Sequence, residues 1–61
     1  MNPSMLEVTP PVRLTVTGRD YSYDGWLAGV VIKRSRAIRY VVEDDHGRLF
    51  IQNAQRGWSP V

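Results

Sequence analysis

Cysteine is absent from this 61-residue chain, histidine occurs once, and the longest apolar run is Trp26 to Ile32. Without cysteine no disulfide can staple a small fold. His46 and scattered carboxylates do not supply the four-ligand sphere of a structural zinc site. The apolar run falls far short of the roughly 20 residues that cross a bilayer. Met1 to Pro11 has no basic flank leading into an apolar stretch, so neither a secretory signal nor a membrane anchor is expected there. Also missing are sustained apolar spacing at helical period, an internal repeat, a phosphate-cradling glycine loop, a nucleotide fingerprint and metal-ligand spacing. The expectation is a cytoplasmic protein without membrane contact or cofactor, and a binding module rather than an enzyme.

What remains is size, charge and pattern. A chain of this length forms one domain and buries only about 60 % of the surface its unfolded form exposes. With disulfides and zinc excluded, association into a homo-oligomer is the expected supplement to so thin a core. The net charge of +2 and a pI near 9.5 admit nucleic acid as a partner without demanding it.

Along the chain, Pro3, Pro10 and Pro11 with small polar neighbours make residues 1–11 read as a flexible N-terminal arm, outside the core. From Val12 the residues alternate, Val12, Leu14 and Val16 against Arg13, Thr15 and Thr17, which is the period of a half-buried strand. Gly18 to Gly25 (GRDYSYDG) suits an irregular loop. Trp26 to Lys33 is apolar on both faces and predicts a central strand, with Gly29 at a bend or bulge. Ile38 to Glu43 predicts a third strand, on which Ile38, Tyr40 and Val42 share a face. Asp44 to Gly47 predicts a hairpin turn in which the glycine takes positive φ, and Arg48 to Asn53 a fourth strand. Gly57, Trp58 and Pro60 fit a short turn and a final edge strand. Five short strands in 12–61 predict an all-β fold, a small five-stranded SH3-like barrel, ahead of an OB-like one.

Two constellations carry candidate binding chemistry. Lys33, Arg34, Arg36 and Arg39 bracket the turn between strands two and three, where four cations at one end of the fold are suited to phosphates. The plainer alternative is a turn kept soluble by charge. Tyr21, Tyr23 and Trp26 lie in and after the long loop, and aromatics among polar residues suit a peptide groove or a base-stacking platform. The alternative there is that Trp26 and one tyrosine cap a small core. Trp58, near the end of the chain, is the better candidate for an interface. Glu43, Asp44 and Asp45 sit at a hairpin tip, which lacks the desolvation or close partner that acid–base chemistry requires, and turn formation accounts for Asp44 and Asp45. His46 beside Gly47 likewise reads as a turn residue, since no nucleophile is placed to pair with it.

From Tyr23 to Gln52 (YDGWLAGVV, then IRYVVEDDHGRLFIQ) the chain resembles the core of the plasmid-borne type II dihydrofolate reductases, short SH3-like barrels of which four build one central pore. On the segment that carries that family's chemistry, Leu49, Phe50, Ile51, Gln52 and Asn53 retain only the isoleucine. The resemblance therefore implies the barrel and self-association. The leading expectation is a noncatalytic barrel, of the sort carried by phages and plasmids, that binds nucleic acid or another protein. An oligomeric NADPH-dependent reductase is the alternative.

Overall fold

The computed structural model describes residues 4–55 and 57–61. The chain is all-β. Strands β1 (Ser4–Thr17), β2 (Ser22–Ile32), β3 (Ile38–Glu43), β4 (Leu49–Gln52) and β5 (Trp58–Pro60) form one antiparallel sheet in chain order. Its two edge strands meet at a point, where the Trp58 indole N–H donates to the Thr17 carbonyl at 3.2 Å. No strand ladder joins β1 to β5 among the described residues.

β3 spans Ile38 to Glu43 as expected, and β4 is trimmed by one residue at each end. The starts of β1 and β2 differ more widely from expectation. β1 begins at Ser4 rather than Val12, so residues 4–11 of the expected arm are strand, while residues 1–3 lie outside the described ones. The prolines are accommodated because β1 is an edge strand and because its ladder with β2 is interrupted between Glu7 and Val12, where Pro10 and Pro11 fall. The second half of the expected loop from Gly18 to Gly25 is strand. Its turn closes at once, with the Gly18 N–H donating to the Tyr21 carbonyl at 2.8 Å, and β2 starts at Ser22. Gly25 is buried within β2, and a Cβ there would lie 2.6 Å from the Glu43 carbonyl oxygen, so the close approach of β3 requires glycine. On β2, Ala28 is an extra residue opposite β3, between the pairs Leu27–Val42 and Gly29–Val41, which places a bulge beside Gly29.

Register assigns the faces, because directly opposed residues of paired strands point the same way. Leu27, Val42 and Phe50 share one face, and Tyr23 pairs with Val16 on it. Gly29, Val41 and Ile51 form a row on the other. Among the described residues the fully buried side chains are Val16, Val41 and Val42, each 1 % exposed. Two of the three are consecutive, so the strand covered on both faces is β3, the middle strand of the order, and not β2 as expected. Three valines make a thin core.

Candidate functional site

In an antiparallel meander alternate turns fall at the same end. The β1–β2 and β3–β4 turns therefore share one end, and the β2–β3 and β4–β5 turns share the other. At the first end lies a cavity of about 440 Å³ lined by four aromatic rings, Tyr21, Tyr23, Phe50 and Trp58, and by Asp44, Asp45 and His46 of the β3–β4 turn. The two tyrosine rings stack, with centroids 6.3 Å apart and planes 14° from parallel. Tyr21 closes the first turn and Tyr23 follows two residues later on β2. Phe50 joins them through its pairing with Val42, and Trp58 is anchored by its bond to Thr17.

The acidic rim is built by turn chemistry. Asp44 Oδ1 accepts the backbone N–H groups of His46 and Arg48, both at 2.9 Å, and Gly47 at φ +77° completes the turn. The Arg48 N–H bond, reinforced against partial desolvation by that from His46, holds the Asp44 carboxyl below its usual range, so it is ionised at neutral pH. Tyr23 shifts the other way. Desolvation, followed by the neighbouring Tyr21 and Asp44, raises its phenol above the ordinary value, so it is neutral. The cavity thus offers π faces and carboxylates, and among the described residues no lysine or arginine lines it.

Trp26 is not part of this cavity. It is half-buried on the other face, where it pairs with Arg13 and Glu43 and lines a separate hollow with Pro11, Asp45 and Gly47. The Arg13 guanidinium carbon sits 4.3 Å from the Trp26 ring centroid, with its nitrogens 4.0 Å from Asp24 and from Asp45. A third hollow, lined by Leu14, Leu27, Tyr40, Val42, Gln52 and Trp58, lies on the concave face. Trp58 is common to it and to the aromatic cavity.

The four cations gather at the opposite end. Lys33, Arg34 and Arg36 are exposed in the β2–β3 turn, and Arg39 follows on β3, its Nη1 donating to the Ile38 carbonyl at 3.3 Å. Among the described residues none of the four makes an ion pair. Arg36 stands at φ +71°, in the left-handed region that glycine ordinarily takes. The structure therefore brings Tyr21, Tyr23 and Trp58 together, and it holds the cations apart from them. Sequence reasoning passed over Phe50, Asp44, Asp45 and His46 as lining residues. Leu49, Phe50 and Ile51 are all apolar, so no alternation in β4 singles out Phe50. Compared with protein-family models, with curated proteins and with solved structures, the chain matches none.

Proposed function

We propose that the chain is a noncatalytic binding module, its curled sheet read as an SH3-like barrel, that holds a segment of a protein partner in the aromatic cavity. The observation that carries this reading is the convergence of four rings from β2, β4, β5 and the first turn on one concavity. Aromatic rings are rigid, amphipathic anchors, and a concave group of them is what a peptide side chain docks into. The test is panning of a phage-displayed peptide library on the wild-type protein and on Tyr23→Ala, with circular dichroism verifying the variant's fold. A shared motif enriched on the wild type and lost on the variant supports the reading. No enrichment on the wild type ends it.

Nucleic acid is the second reading, favoured by the unpaired cluster of Lys33, Arg34, Arg36 and Arg39. Four phosphate contacts give a salt dependence of log K with a slope of about −3 to −4 on duplex DNA. Anisotropy of labelled DNA and RNA oligomers at low salt measures it, and Lys33→Glu with Arg34→Glu removes it. An unchanged signal at low salt sinks this reading.

Self-association accompanies either reading. Leu6 and Tyr40 both pair with Val30, and Ile32 pairs with Ile38 beside them, so exposed Leu6, Ile32, Ile38 and Tyr40 form one apolar area on the concave side. Covering it by another copy supplements three buried valines. Light scattering after size exclusion returns a mass above one chain if this holds. A tetramer that oxidises NADPH with dihydrofolate favours the reductase instead.

A further inference from the structure

Resting on the binding reading above, we infer that the group taken into the aromatic cavity is a cation, the ammonium or guanidinium of a basic side chain on the partner segment. A ring face carries negative charge, so a cation within about 6 Å of a centroid is attracted, and more strongly where water is displaced. Four rings surround this cavity, and two carboxylates stand at its rim. A neutral apolar group would fill the space between the rings but would gain nothing from the negative charge of Asp44 and Asp45, which persists although Asp44 accepts two turn N–H groups and Asp45 reaches Arg13 at 4.0 Å. An anion would meet Asp44 and Asp45 at close quarters. A cation is attracted by both the ring faces and the two negative charges.

The molecule already contains this recognition once. On the opposite face Arg13 lies over Trp26 with carboxylates of Asp24 and Asp45 at the limit of ion pairing. Asp45 belongs to both settings, since it reaches Arg13 and also lines the aromatic cavity. The cavity thus has the elements of the Arg13 arrangement, indole face and carboxylate, without a cation among its described lining residues. The chain's own cluster Lys33, Arg34, Arg36 and Arg39 lies at the other end of the sheet and lines none of this cavity.

Matched pairs of small probes separate charge from shape. Choline is compared with 3,3-dimethyl-1-butanol, and N-acetylarginine amide with N-acetylcitrulline amide. The readout is the Trp58 indole N–H resonance in the ¹⁵N-labelled protein, with the Trp26 indole as internal control. The expected result is a saturable shift of Trp58, with each cation binding about tenfold more tightly than its neutral partner, a ratio within the range of desolvated cation–π contacts. Asp45→Asn is expected to weaken the cations by about threefold and leave the neutral probes unchanged. Equal binding of cation and neutral partner overturns the inference and leaves the cavity as an apolar docking site. No movement of Trp58 with any probe overturns it as well. In that case the binding reading survives only if the displayed library still enriches peptides that Tyr23→Ala loses.

Discussion

The two hairpin turns that flank β3 have the same backbone. In the β2–β3 turn the Lys33 N–H donates to the Ala37 carbonyl and the Arg36 N–H to the Lys33 carbonyl. In the β3–β4 turn the Asp44 N–H donates to the Arg48 carbonyl and the Gly47 N–H to the Asp44 carbonyl. Each places its fourth residue at positive φ, +71° and +77°. Their chemistry differs at every position that matters. The β3–β4 turn opens with an aspartate that accepts two backbone N–H groups and puts glycine at the left-handed position. The β2–β3 turn opens with a lysine, which cannot accept, and puts arginine there. One turn is chosen for backbone fit. The other keeps three exposed cations at a conformational cost, a pattern associated with sites used for recognition.

The comparison presumes that β3 is held firmly against β2 between the turns, and Gly25→Ala tests that most severely. Its Cβ meets the backbone oxygen of Glu43, which cannot move aside as a flexible side chain can. A loss of about 2 to 3 kcal/mol in urea unfolding is expected, whereas a neutral result means the two strands are looser than described.

Asp44→Ala removes both side-chain bonds of the β3–β4 turn and is expected to lower the Tm by roughly 5 °C. It also has a pH signature. Because the folded protein holds the Asp44 carboxyl low, its contribution is full above the ordinary carboxylate value near 4 and is lost as pH falls through the lowered value. The wild type should therefore lose stability over that acid range more steeply than the variant. Parallel acid limbs would show that the carboxylate is not the source.

Gly47→Ala meets open space, so only its backbone conformation is penalised, and about 1 kcal/mol is expected from chemical denaturation. Arg36→Gly is the reciprocal change and has the smallest effect, a gain of up to about 1 kcal/mol. If Arg36→Gly destabilises instead, the two turns are not equivalent and the contrast between them dissolves.

Much of the sheet was legible locally. IRYVVE marks β3 because β-branched and aromatic residues stand together between two polar turns, and DDHG marks its hairpin because an aspartate and a glycine take the special positions. Gly29 signalled the bulge for the same reason, a residue without a side chain inside an apolar strand. The misses arise where a neighbouring strand overrides local preference. Pro10 and Pro11 argued against a strand, yet an edge position and an interrupted ladder make no demand on their missing N–H groups. Gly25 looked like the end of a loop, and its actual reason is a carbonyl from β3. The cavity was half visible. Tyr21, Tyr23 and Trp58 stood out as aromatics, but nothing local joins Phe50 and the Asp44 turn to them, since the lining residues come from β2, β4, β5 and the two hairpin turns at that end.

By itself the sequence determined an all-β chain, its turn chemistry and a core of few residues, because alternation, turn residues and chain length act over short stretches. The tertiary structure alone decided which end is acidic and aromatic and which is cationic. Antiparallel order brings every second turn together, and the curl of the sheet carries Trp58 to Thr17 across 41 residues of chain.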